Sequence, residues 1–138
     1  MNRIKKIVLG ALVMSLIAGS IVLFQYNKPH KDYTSQEASI QISSVELFSD
    51  FSESENEANK KYLDKVMEVT GVILEITVSD ESSMLVLESE DDFFGVNVYL
   101  AEKTNLESYN TGDQIKIKGR CTGGNSMGVI LNSGTIIK

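Results

Sequence analysis

The segment that decides the fold is VMEVTGVILEITV at residues 66–78, because its apolar and polar residues alternate as they do in a β-strand. The alternation changes phase once: Met67 and Val69 lie before the change, and Val72, Leu74, Ile76 and Val78 lie after it. A β-bulge at Thr70-Gly71 would absorb the extra residue and bend the strand. A long, bent first strand can pair at both of its ends, as a small closed barrel requires.

The segments after this strand predict four more strands joined by polar turns. The strands are expected at residues 84–88, 94–100, 114–121 and 127–137, with turns at 79–83, 90–92 and 111–113, an irregular connection at 101–110 and a loop at 122–125. Five strands with a connection between the third and the fourth match the plan of a five-stranded OB-type barrel. The predicted fold class is therefore mainly β, although a sandwich or a roll would have the same strand count.

One amphipathic helix is predicted immediately before the barrel. Ser43 and Glu46 have the Ser-x-x-Glu spacing of a capping box, and Ile42 and Leu47 flank it as a hydrophobic staple. Apolar residues then recur at helical spacings along one stripe: Val45, Phe48, Phe51, Ala58 and Tyr62. A single helix over residues 44–63 is therefore expected to pack on the barrel.

The amino-terminal segment has the length and composition of a transmembrane helix. Residues 1–6 are basic, and residues 7–24 form an uncharged apolar run of 18 residues. As a helix this run is about 27 Å long, close to the roughly 30 Å hydrocarbon thickness of a bilayer. Signal peptides have shorter apolar regions, so an uncleaved membrane anchor is favoured over a cleaved signal. Ser20 stands where a lipoprotein would carry its lipid-bearing cysteine, so no lipidation is predicted.

The predicted organisation has three parts: a membrane anchor at residues 1–26, a flexible polar linker at 27–42, and an OB-fold domain with its leading helix at 43–138. The linker contains the only proline and the only histidine, His30, and shows no period. Arg3, Lys5 and Lys6 precede the apolar run, and a very short amino-terminal tail is rarely translocated. We therefore expect a single-pass protein of the cell membrane with a cytoplasmic amino terminus and an extracytoplasmic barrel.

The charge of the soluble part disfavours nucleic acid as a ligand. The whole chain has a net charge of −6, but residues 39–138 hold eight basic and 17 acidic side chains, a net charge of −9. Nucleic-acid binding draws much of its affinity from Lys and Arg set against phosphates. A domain of this charge lacks that footprint.

The sequence contains no recognisable catalytic or metal-binding constellation, so no catalytic residue, metal or cofactor is predicted. Cys121 is the only cysteine, which excludes an intramolecular disulfide and a Cys-pair metal site. His30 has no partner histidine. The acidic segment at residues 88–92 lacks the spacing of an EF-hand loop and is expected to be a solvated turn.

Ligand-binding residues are predicted from the way in which OB barrels bind extended ligands. They use the face of the second and third strands, together with the loops between strands one and two and strands four and five. The side chains expected to point outward in these regions are Phe93, Asn97, Tyr99, Arg120 and Asn125. Aromatic rings beside an arginine could stack bases, but packing of Phe93 and Tyr99 against the helix or a partner is the preferred interpretation.

Three stretches carry a resemblance to a known family: ANKKYLDKVMEVTG at residues 58–71, GDQIKIKGRCTGG at 112–124, and the closing VILNSGTII. They resemble the bacterial tRNA-anticodon-like (tRNA_anti-like) OB-fold family through Asn59 and Tyr62, through Lys65 with Val69 and Gly71, and through the Gly-Asp turn and the Cys-x-Gly turn at 121–123. The resemblance covers residues 45–138. It implies an OB fold in a protein of the bacterial envelope, and the family's name records a likeness of fold.

Two hypotheses about function follow. The first is a membrane-anchored, extracytoplasmic OB-fold interaction module without catalytic activity, which engages a protein or another envelope component. An acidic surface suits a cationic partner or a peptide strand added at a sheet edge. The alternative is a protein that binds single-stranded nucleic acid, which the fold permits and the charge disfavours.

Overall fold

The computed structural model describes residues 2–26, 35–101 and 104–137 and divides the chain into two units, Met1–Lys31 and Asp32–Lys138. In the first unit, helix α1 (Arg3–Tyr26) contains one span that is long and apolar enough to cross a membrane, Arg3–Leu23. This confirms the predicted apolar helix. His30 and residues 27–34 of the predicted linker lie outside the described residues.

The second unit is a closed β-barrel preceded by a short strand and two helices. Its elements are β1 (Ile40–Ser43), α2 (Ser44–Glu53), α3 (Glu55–Tyr62), β2 (Val66–Val78), β3 (Ser83–Leu87), β4 (Val96–Leu100), β5 (Gln114–Asn125) and β6 (Gly128–Ile137). The strand order is β1-β2-β3-β4-β6-β5, and an additional β2–β5 pairing closes the five strands β2 to β6 into a barrel. β4 and β6 are parallel, and the other barrel pairs are antiparallel. The predicted five-stranded barrel is confirmed.

The first barrel strand changes phase at a different residue from the one predicted. β2 pairs with β5 in regular register from Val66 to Val72, and the irregularity falls between Ile73 and Glu75, where β2 pairs with β3. Gly71 belongs to the inward phase, and a Cβ there would lie 2.9 Å from the Cβ of Ser44. The sequence pattern misplaced the bulge because an inward glycine leaves a gap in the apolar alternation. Leu74, one of the alternating apolar residues after the predicted phase change, is consequently 46% exposed.

The single helix predicted over residues 44–63 is two helices. α2 begins as predicted, with Ser43 Oγ accepting a hydrogen bond from the Glu46 N–H at 3.1 Å. Ser54 has extended backbone dihedrals, ends α2 and caps α3 through its side chain. A serine that can cap a new helix competes with continuation of the old one, so the apolar stripe continues across a break that periodicity does not detect.

The end of the predicted linker is a strand. Residues Ile40–Ser43 pair in parallel with β2, from Ile40 opposite Met67 to Ser43 opposite Thr70. Ile40 and Ile42 are partly buried against the core, whereas Gln41 is exposed. Four residues with two isoleucines are too short a signal for a period-two prediction.

The last hairpin is longer than predicted. Residues 122–125, expected to be a loop, belong to β5, and the turn is Ser126-Met127, between the paired residues Asn125 and Gly128. Gly123 and Gly128 have φ of 112° and 150°, so both adopt backbone conformations that favour glycine. The two glycines in sequence at 123–124 indicated a loop, but here they permit an irregular strand pair.

Candidate functional site

Two predicted ligand-binding residues lie on one continuous outer surface of the barrel. Asn97 and Tyr99 point outward from β4, where Tyr99 lies opposite Met84 and Asn97 lies opposite Val86. On the other side of β4, Asn97 lies opposite Ile130 of β6. We call this surface the outer face and define it by Met84, Val86, Asn97, Tyr99 and Ile130. Tyr99 is 42% exposed and Ile130 is 40% exposed, so part of its apolar area contacts solvent.

The outer face has no positive charge among the described residues that form it. The two residues of β2 that continue it are Glu75, opposite Val86, and Thr77, opposite Met84. The turn between β2 and β3 adds Asp80 and Glu81, which are exposed. The surface is therefore apolar and neutral, with acidic residues at one side.

The basic residues of the barrel lie on another strand. Lys116, Lys118 and Arg120 point outward from β5, in a stripe whose neighbours on β2 are acidic or neutral. Arg120 forms an ion pair with Asp64, and Lys116 Nζ lies 3.9 Å from Glu68 Oε2. Arg120, predicted to join Asn97 and Tyr99, is thus two strands away from β4 and bound to a carboxylate.

Phe93 lies at the tip of the loop between β3 and β4 and is 89% exposed. The loop is ordered by side chains: Asp91 Oδ1 accepts hydrogen bonds from the N–H groups of Phe93 (2.8 Å) and Phe94 (3.1 Å). The Ser89 hydroxyl donates to the Phe94 carbonyl. This loop delays the start of β4 to Val96 and holds Phe93 away from the barrel, so Phe93 packs on neither the helices nor the strands.

A groove of about 600 Å³ is lined by both Asn97 and Asn125, two of the predicted ligand-binding residues. One wall is α3 with the residue after it, and the other wall is the β5–β6 hairpin. The lining residues are Glu55, Asn59, Leu63, Asn97, Thr122, Gly123, Gly124, Asn125, Met127, Gly128 and Ile130. Through Asn97 and Ile130 the groove is continuous with the outer face.

The hydrogen-bonding groups of the groove differ in how they are used. Asn125 Oδ1 accepts from the Met127 N–H at 2.8 Å, which fixes the hairpin turn. The carboxamides of Asn59 and Asn97 make no hydrogen bond within the described part of the chain, although both residues are partly buried. Glycines keep these amides accessible: a Cβ at Gly128 would lie 2.9 Å from Asn97 Nδ2, and one at Gly123 would lie 3.3 Å from Asn59 Oδ1.

The adjacent side of α3, which carries Ala58 and Tyr62, packs against the core of the domain. Tyr62 is buried, and its hydroxyl donates a hydrogen bond to Asp50 Oδ2 at 2.5 Å, while Lys61 Nζ lies 3.0 Å from the same oxygen. The hydrogen bond from Tyr62, followed by that from Lys61, lowers the pKa of the Asp50 carboxyl. Burial and the Asp50 hydrogen bond raise the pKa of the Tyr62 hydroxyl. This cluster joins α2 to α3.

The described residues contain no metal-binding cluster, and Cys121 has a raised pKa. They contain no group of three or more His, Cys, Asp or Glu side chains that could hold a metal ion. Cys121 is buried in the core, and this burial raises the pKa of its thiol. A raised thiol pKa lowers the thiolate fraction and hence the reactivity.

Sequence reasoning missed the contribution of α3 to the groove. Glu55, Asn59 and Leu63 recur every four residues and therefore share a helix side, a signal that was present in the sequence. The apolar stripe of the same helix, Ala58 and Tyr62, lies on the adjacent side and is the stronger periodic signal.

Comparisons with known proteins agree with this architecture. The tRNA_anti-like family matches residues 1–135. A crystal structure of a candidate nucleic acid-binding lipoprotein from Klebsiella pneumoniae is similar in fold, with a TM-score of 0.54 and 21% identity over 80% of this chain and 100% of that one. Among curated proteins, none matches the chain.

Proposed function

The chain belongs to the tRNA_anti-like family of OB-fold proteins, and on that basis we propose that it is a membrane-anchored interaction module without catalytic activity. It engages a protein or another envelope component through the outer face of the barrel. Helix α1 stays attached as the anchor, with the amino terminus in the cytoplasm and the barrel outside it. Asn97, Tyr99 and Asn125 contribute to binding.

The observation that carries this proposal is the chemistry of the outer face. Met84, Val86, Tyr99 and Ile130 offer partly exposed apolar area, and Asn97 lies among them. Protein interfaces combine an apolar centre with polar groups at the rim and are enriched in tyrosine and methionine. The face has that composition.

Binding of single-stranded nucleic acid is the alternative. It is favoured by the description of the Klebsiella pneumoniae structure and by Tyr99, on which a base could stack. Glu75, Asp80 and Glu81 border the outer face and would repel a phosphate backbone. The basic stripe of β5 is partly neutralised by Asp64 and Glu68.

Photo-crosslinking of the full-length chain in its native membranes separates the two. Benzoylphenylalanine replaces Tyr99 on the outer face in one variant and Gln114, an exposed residue of β5, in the matched control. We expect an adduct at position 99 that is digested by protease and resists nuclease, with no adduct at position 114. A nuclease-sensitive adduct would favour the alternative, and equal adducts at both positions would contradict a site on the outer face.

A titration of the full-length chain in nanodiscs with fluorescent oligo-dT across a salt series adds a direct measurement. We expect no salt-dependent binding. Tight binding that weakens steeply with salt would make nucleic acid the ligand.

A further inference from the structure

We propose that the groove between α3 and the β5–β6 hairpin holds an extended peptide segment that carries a basic side chain. This inference rests on the proposed function, because the segment belongs to the protein partner. It assigns the backbone of the segment to Asn59 and Asn97 and its basic side chain to Glu55.

The two unpaired carboxamides are the first reason for a peptide. Each carboxamide offers two N–H donors and a carbonyl acceptor, and those of Asn59 and Asn97 bind nothing within the described residues. A residue in extended conformation presents its N–H and C=O on the same side, so one carboxamide can donate to the carbonyl and accept from the N–H together. Partly buried amides gain most from a ligand that satisfies both functions.

The rest of the lining suits alternating side chains of an extended segment. Leu63, Met127 and Ile130 are exposed apolar residues at the rim, where they can cover the side chains of a peptide. Gly123 and Gly128 leave the floor without side chains, so a backbone can approach closely. The described lining contains no aromatic ring on which a base could stack.

The charge of the groove favours a positively charged ligand. Glu55 is the only ionisable side chain in the lining, and it is exposed at the amino-terminal end of α3. Residues 39–138 also hold more acidic than basic side chains, so they attract positively charged ligands at longer range. A lysine or arginine of the segment is therefore placed against Glu55.

Two degenerate heptapeptide libraries provide the probe, identical except for a fixed central lysine or glutamate and otherwise free of charged residues. Retention by the full-length chain in phosphatidylcholine nanodiscs is measured by equilibrium dialysis and mass spectrometry. We expect the lysine library to be retained about fivefold better than the glutamate library, because a surface ion pair replaces a repulsion. Asn59→Ala and Asn97→Ala should each lower retention about fivefold, whereas Asn110→Ala, an exposed amide outside the groove, should not.

Charge reversal at Glu55 gives the most specific result. Glu55→Lys should reverse the preference in favour of the glutamate library, which a purely structural role of Glu55 would not produce. Glu57→Lys is the matched control, because Glu57 also lies in the first turn of α3 but does not line the groove. It should leave the preference unchanged.

Equal retention of both libraries, or retention that survives both asparagine substitutions, would overturn the inference. Absence of any retention would also overturn it. A protein adduct at position 99 would in that case leave the proposed function standing, so the two failures are distinguishable.

Discussion

The two sides of α3 differ in burial and in whether their polar groups are hydrogen-bonded. On the packed side, Ala58 and Tyr62 are buried, and the Tyr62 hydroxyl is paired with Asp50. On the groove side, Asn59 keeps an unpaired carboxamide and Leu63 is 44% exposed. A helix of eight residues thus stabilises the domain with one side and leaves hydrogen-bonding capacity unused on the other.

The difference teaches where a binding function is to be sought in a small barrel. Polar groups that contribute to folding are satisfied inside the protein, as Asp50 and Tyr62 are. The carboxamides of Asn59 and Asn97 are partly buried beside the groove but make no hydrogen bond in the described residues, so stability of the fold does not explain them. The comparison predicts large losses of stability from changes on the packed side and small ones from changes on the groove side.

Gly71→Val is expected to have the largest effect, because a side chain at residue 71 would overlap Ser44 at the start of α2. Its side chain would collide with Ser44 and approach the Leu87 Cβ, which lies 3.2 Å from the position of a Cβ. Overpacking of this kind costs about 3 kcal/mol. Urea unfolding of the full-length chain in nanodiscs, followed by tyrosine fluorescence, measures the loss. A loss of stability smaller than that of Tyr62→Phe would show that α2 is loosely held.

Tyr62→Phe is expected to cost about 1–2 kcal/mol, because it removes one hydrogen bond to a charged carboxylate and keeps the ring. The same unfolding measurement applies, with Tyr109→Phe as the control, since that ring is only partly buried. Equal stability of the two variants would contradict the role of the Asp50–Tyr62 pair.

The pH dependence of stability should report the same pair with a smaller effect. The folded-state pKa of Asp50 is lowered, so the stabilisation it provides is present above the unfolded-state pKa, about 3.9, and is lost as pH falls through the folded value. Wild type should therefore lose more stability than Tyr62→Phe between about pH 5 and pH 3. Parallel curves would indicate that Tyr62 does not lower this pKa.

Asn59→Ala and Asn97→Ala should change the free energy of unfolding least, within about 0.5 kcal/mol. Neither carboxamide makes a hydrogen bond in the described part of the chain, so neither substitution removes a hydrogen bond from the folded state. A loss above about 1 kcal/mol in either variant would be typical of a stabilising hydrogen bond and would remove the contrast between the two sides.

The barrel was predictable because its strands obey period-two alternation and its turns contain the expected residues. Ile115 and Ile117 are buried with Lys116 and Lys118 outside, and the Ser43 cap lies where the Ser-x-x-Glu spacing placed it. These features depend on neighbours in sequence.

The features that could not be predicted depend on contacts between distant residues. Gly71 points inward because Ser44 lies against it, and no local pattern records that contact. The groove needs α3 and the β5–β6 hairpin to face each other, which only the tertiary fold determines. Asn97 and Asn125, which were predicted from the general OB plan, both line the groove. Arg120 instead forms an ion pair with Asp64, and Phe93 lies in an exposed loop.

Under the proposed anchoring, α1 would confine copies to one membrane, and the β2–β5 pairing that closes the barrel has a consequence for such copies. Molecules confined to a surface meet at high local concentration, and open strand edges would join them into continuous sheets. β5 pairs with the first part of β2, Val66–Val72, and β3 pairs with the second part, Ile73–Val78, so no described barrel strand is left as a full-length open edge. Closure of the barrel therefore limits the joining of neighbouring copies through their backbones.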